Sequence, residues 1–80
     1  MDSIFLMEVM EMREEVEHAS TDNELRPLLQ TCKKQQSELC EELAKSFREE
    51  RIEDAKHQTA KLQYWNRIEE TIVDKISSVA

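Results

Sequence analysis

Glycine is absent from this 80-residue chain and proline occurs once. Tight hairpin turns rely on glycine at left-handed positions, so its absence argues against strands joined by short turns. Aromatic residues make up only 5% of the chain. A chain of this length buries only about 60–65% of the surface its unfolded form exposes, which leaves no room for a large enclosed active site. Long apolar runs are missing as well. No segment approaches the roughly 20 residues of a membrane span, and no basic-then-apolar or Arg/Ser-rich leader precedes the first periodic segment. The expectation is a soluble chain with no membrane contact that forms part of a longer protein.

Basic residues are also in deficit, eleven against eighteen acidic ones, for a formal net charge of -7. That balance repels nucleic-acid phosphates and anionic membranes and favours a partner with a basic patch. Cysteine occurs twice, at Cys32 and Cys40. On one helix they stand about 12 Å apart along the axis, too far for an intrachain disulfide, so both are expected as free thiols. There is no third Cys or CxxC spacing, and His18 and His57 are isolated, so no metal site is expected. Ser37 and Ser46 have no paired His and no Gly loop cradles a phosphate, so the reading assigns no catalytic residue and no cofactor.

What the chain does contain is charge, 36% of residues, interleaved with apolar residues at three- and four-residue spacing. Polar-surfaced helices follow from that pattern. Ser3 can cap a first helix from about Ile4 to Ala19, with Asp2 also at its positive end, and Ser20-Thr21-Asp22-Asn23 ends it. Thr21 with Glu24 fits a capping box and Pro27 favours a first turn, which places the start of the second helix between Asp22 and Arg26. Leu25, Leu28, Leu29, Cys32, Leu39, Leu43 and Phe47 then mark its inward face, with Gln36 in the one polar gap. Arg48-Glu49-Glu50-Arg51 breaks the rhythm. Ile52, Ala55, Thr59, Leu62, Trp65, Ile72 and Ile76 resume it, and Ser77-Ser78-Val79-Ala80 is expected to fray. The fold class is all-α: one domain over residues 1–80, an antiparallel three-helix bundle with helices at about 4–19, 24–48 and 51–77.

The first helix carries more apolar residues than one buried stripe needs. Phe5, Val9, Met12 and Val16 lie within about 60° of one another on a helical wheel, the spacing of a core face. Leu6 and Met10 lie roughly 110° further round, with Met7 and Glu14 beyond, so a second stripe edged by carboxylates faces water. In the third helix Tyr64 lies off the face marked by Leu62, Trp65 and Ile72, with Ile68 one turn after it. Each feature has a plain structural reading, since Leu6 and Met10 can cover the third helix and a Tyr ring can lie flat on a bundle surface. Together they favour a docking surface, because aromatic residues are enriched at the centres of binding sites.

Phe5-Leu6-Met7-Glu8 and Glu11-Met12-Arg13-Glu14-Glu15, with Ala55-Lys56 and Lys61-Leu62-Gln63-Tyr64-Trp65, make the chain similar to the C-terminal domain of the HscB family of J-type co-chaperones. The resemblance spans nearly all 80 residues. In that family an N-terminal J-domain stimulates a DnaK-type chaperone, while the C-terminal domain holds an IscU-type iron–sulfur cluster scaffold as client. Carried over by position, the apolar contacts fall on Leu6, Met10 and Tyr64, and the supporting contacts on Met7, Glu11 and Glu14. Met10 stands where Leu is common, a substitution of similar volume. No His-Pro-Asp tripeptide is present, so the DnaK-type chaperone is expected as a partner only through a J-domain missing here. The resemblance implies the mitochondrial matrix for a eukaryotic chain and the cytoplasm for a bacterial one.

Two other readings compete. The Leu6/Met10 stripe can pack on another copy of the bundle, making a homo-oligomerisation module. Small three-helix chains can also be chorismate mutases, but those need clustered Arg and Lys for a dicarboxylate. Here Arg13, Arg26, Arg48, Arg51 and Arg67 read as scattered over ends and outward faces.

Overall fold

The computed structural model of the chain describes residues 3–79 and contains three helices, α1 (Ser3–His18), α2 (Asp22–Arg48) and α3 (Ile52–Val79). No strand occurs among the described residues. Asp2, expected at the start of the first helix, and Ala80, expected in the fraying end of the third, lie outside the described residues. The second helix begins at Asp22, two residues earlier than 24, because Thr21 is its N-cap: the Thr21 hydroxyl accepts from the Glu24 N–H at 3.2 Å and donates to Glu24 Oε1 at 3.0 Å. Pro27 therefore sits in the second turn rather than the first. The third helix runs on through Ser77 and Ser78 to Val79, two residues past the expected end at 77.

Without glycine, the turn between α2 and α3 uses a glutamate. Glu50 has a φ of 58°, the left-handed conformation that glycine normally supplies after a helix. The Arg51 N–H donates to the Ser46 carbonyl at 2.8 Å and the Glu50 N–H to the Phe47 carbonyl at 3.2 Å. These two bonds form a Schellman closure over the last turn of α2.

Two polar pairs set the register of α2 against α3. Gln36 Nε2 donates to Asn66 Oδ1 at 2.9 Å, and the buried Ser46 hydroxyl donates to Gln58 Oε1 at 2.8 Å. Partners pair in descending order along α3, so the two helices are antiparallel, and Gln36 fills the polar gap in the stripe by bonding across it. α1 lies in the seam of this hairpin. Phe5 meets Tyr64 and Trp65, and Val16 meets Lys75, so α1 is parallel to α3 and antiparallel to α2. The core runs through Phe5, Val9, Met12 and Val16 of α1, Ala19 just after it, Leu25, Cys32 and Leu39 of α2, and Trp65, Ile68 and Ile72 of α3.

Three core expectations fail for one reason. Phe47 is 60% exposed and Ile52 55%, and Thr59 is also exposed. They occupy the part of the hairpin beyond the α1 contacts, where two helices enclose small side chains such as Ser46 and Ala55 but leave larger or outward ones open. Ser46 is buried beside Phe47 because it, not Phe47, points at α3. Ile68 corrects the reading in the other direction: grouped by sequence with the outward Tyr64, it is 3% exposed and faces α1.

Candidate functional surface

Phe5 is the residue around which the α1–α3 contact is built. Its ring makes edge contacts with Tyr64 at 5.8 Å and Trp65 at 6.4 Å between centroids. Lys61 Nζ sits 5.3 Å from the same ring centre, within cation–π range. Phe5 and the segment Lys61-Leu62-Gln63-Tyr64-Trp65, far apart in sequence, thus form one cluster. Tyr64 is half-buried there rather than free, with one side of the ring committed to Phe5 and the rest at the surface.

Pinning Phe5 inward fixes where its neighbours point. Leu6 is 37% exposed and Met10 62%, and Met7 is exposed to a similar degree. Covering the bundle accounts for much of Leu6, which is still mostly covered, but not for Met10. Glu11 and Glu14 are exposed as well, and no ion pair involves either among the described residues. From Leu6 through Met10, Met7 and Glu14 to Glu11, the outward arc of α1 spans roughly 140°. Its two edges differ. Leu6 and Met10 lie on the flank toward α3 and Tyr64, while Glu11 and Glu14, with Glu15, His18, Glu24 and Leu28, line a shallow groove toward α2.

Further along the α1–α3 flank a cavity of about 280 Å³ has an apolar floor of Val16 and Ile68 and a rim of Arg13, Glu17, Arg67, Thr71 and Lys75. This corrects the sequence reading of scattered arginines. Arg13 and Arg67 stand on the same groove, a meeting that depends on the offset between two parallel helices and is invisible residue by residue. Lys75 has a second task there: its ammonium donates to the carbonyls of Val16 at 2.6 Å, Glu17 at 3.0 Å and Ala19 at 3.2 Å. A cation at these carbonyls meets both the unpaired acceptors and the negative end of the α1 dipole. Sequence reasoning missed this cap, since the partners lie 56 to 59 residues apart.

Cys32 and Cys40 are free thiols, one buried and one exposed. Burial, with the Glu69 carboxylate as a lesser cause, pushes the Cys32 thiol up to about 11. No group of three or more His, Cys, Asp or Glu side chains able to hold a metal occurs among the described residues, and no helix is long and apolar enough to cross a membrane.

The model of the HSCB C-terminal oligomerisation domain matches residues 1–73. Among curated proteins the chain is similar to the human iron–sulfur cluster co-chaperone protein HscB, with 31% identity over 72 residues. That alignment covers 90% of this chain and 31% of the human protein, so the chain spans under a third of that relative's length. No solved structure matches it with comparable significance.

Proposed function

Because the chain belongs to the family of HSCB C-terminal oligomerisation domains, we propose that it is the client-holding part of an iron–sulfur cluster co-chaperone. Its client is an IscU-type scaffold protein, presented to a DnaK-type chaperone by a J-domain elsewhere in such a co-chaperone. The compartment that goes with this role is the mitochondrial matrix in a eukaryote and the cytoplasm in a bacterium. The chain performs no reaction.

The observation that carries this reading is the exposed Leu6/Met10 pair, on a helix whose core face is already complete and whose Phe5 ring contacts Tyr64. Leu6, Met10 and the free side of Tyr64 desolvate against an apolar patch of the scaffold, with Met7 adapting at the crest. Glu11 and Glu14 face basic residues. Fully burying each apolar side chain contributes on the order of 1.5–3 kcal/mol, whereas rim carboxylates act mainly on association rate and salt dependence.

The decisive measurement is calorimetric titration of purified scaffold into wild type and a Leu6→Ala/Met10→Ala variant. These two side chains are exposed, so the variant keeps its helicity, while Tyr64 is left in place because it supports Phe5. Affinity should fall by about a hundredfold or more for two lost apolar contacts; unchanged affinity would reject the surface. The family's description as an oligomerisation domain supports a second reading, in which the same stripe packs on another copy. Sedimentation separates the two: a concentration-dependent dimer dispersed by Leu6→Ala supports self-assembly, and a monomer that binds scaffold supports the client role.

A further inference from the structure

We propose that the cavity between α1 and α3, rimmed by Arg13 and Arg67, is a second subsite of the scaffold-binding surface that accepts an acidic residue of the partner next to an apolar one. This rests on the proposed client role and extends it, because the contacts assigned there are apolar or acidic and require only apolar and basic features of the partner.

Charge is the first support. The chain is strongly acidic, with a net charge of -7, yet this groove gathers three cations against one carboxylate, Glu17. Several basic side chains elsewhere are matched locally: Arg26 pairs with Asp22, Arg51 with Glu49 and Asp54, and Lys56 with Glu53. Arg13 and Arg67 make no ion pair among the described residues, although Glu17 lies one helical turn from Arg13. Arg13, Arg67 and Lys75 outnumber the single Glu17 carboxylate on this groove, so its local potential favours an anion, and a carboxylate brought by a partner balances it.

Shape is the second support. Val16 and Ile68 form an apolar floor beneath the charged rim, so the cavity matches a side chain that ends in hydrocarbon with an anion beside it. The third cation is already engaged: Lys75 spends its donors on α1 carbonyls. Only the two arginines, whose forked donors suit a carboxylate, are available. Position is the third support. Leu6 and Met10 lie on the same flank of α1 as Arg13, and Tyr64 and Arg67 line a common recess of α3, so one partner segment along the α1–α3 groove reaches both.

The test uses the intact chain, with purified scaffold as the probe, and compares wild type, Arg13→Gln/Arg67→Gln and Arg13→Glu/Arg67→Glu. Both positions are exposed, and thermal melts confirm that the variants fold. Neutralisation should weaken scaffold binding by about tenfold and flatten its salt dependence, and reversal should weaken it further. Replacing the scaffold's surface Asp and Glu residues with Lys, one at a time, should reveal at least one change that weakens binding to wild type and restores binding to the Glu variant. Unchanged affinity of the Gln variant, while Leu6→Ala/Met10→Ala still loses binding, overturns the subsite and leaves the client role standing. Failure of wild type to bind scaffold overturns both. Concentration-dependent self-association abolished by Arg13→Glu/Arg67→Glu would assign the groove to the acidic face of a second copy and overturn the proposal.

Discussion

Along the α2–α3 hairpin each helix covers the other's apolar stripe for most of its length, with Gln36–Asn66 and Ser46–Gln58 as polar pins, whereas α1 is held by one narrow face and the Lys75 ammonium. The hairpin spends most of its apolar residues internally, with Phe47 and Ile52 exposed at its uncovered end and Val73 on the outer side of α3. α1 buries Phe5, Val9, Met12 and Val16 and still presents Leu6, Met7 and Met10. A helix attached by a narrow stripe keeps the rest of its circumference for a partner, so binding side chains can be changed there without opening the core.

The contrast breaks most completely at Phe5. Phe5→Ala removes the ring that Tyr64, Trp65 and Lys61 share and should cost about 3–5 kcal/mol. Urea unfolding reads the loss, and native-state hydrogen exchange should show α1 amides losing protection well before those of the hairpin. A uniform loss of protection would show that α1 and the hairpin open as one unit.

High pH strikes the hairpin side. The folded-state pKa of Cys32 is about 11, above its ordinary value of 9.0. The buried neutral thiol therefore stabilises the fold fully below pH 9, and that contribution is lost as pH rises through 11. The loss should reach about 2–3 kcal/mol, measured as the difference in urea stability between wild type and Cys32→Ala at pH 8 and pH 11. A constant difference would show that the thiol does not ionise differently in the two states. A thiol reagent at neutral pH should modify Cys40 and leave Cys32 intact.

Lys75→Met keeps the packed stem and deletes the ammonium. It should cost about 1–2 kcal/mol and loosen the last turn of α1 first; unchanged exchange at Val16 through Ala19 would show that water replaces the cap at no cost. The smallest effect is a gain confined to the hairpin. Glu50→Gly relieves a left-handed glutamate and should raise stability by about 0.5–1 kcal/mol without altering scaffold affinity.

Much of this arrangement was legible in the residues. The three helices, the Thr21–Glu24 cap, the polar break at 48–51 and the division of α1 into Phe5/Val9 and Leu6/Met10 stripes all follow from spacing within a single helix. What escaped depends on relations between helices. Phe47 and Ile52 fit the stripe, but no wheel shows that α1 lies beside another stretch of the hairpin. Ile68 sits off the α2-facing stripe because α1 requires its own contacts on α3. The meeting of Arg13 with Arg67 and the reach of Lys75 to Val16 need the register of two parallel helices, which local periodicity does not encode.

Lys75 also bears on where this unit can be cut. The family match stops at residue 73, two residues before the side chain that closes α1 and three before Ile76, which packs against the core. A polypeptide trimmed to the matched span would retain every contact residue assigned to the scaffold, yet it would leave the carboxyl end of α1 open. The minimal segment that can be transplanted with its binding helix intact is therefore set by an ammonium outside the similarity, and ends no earlier than Ile76.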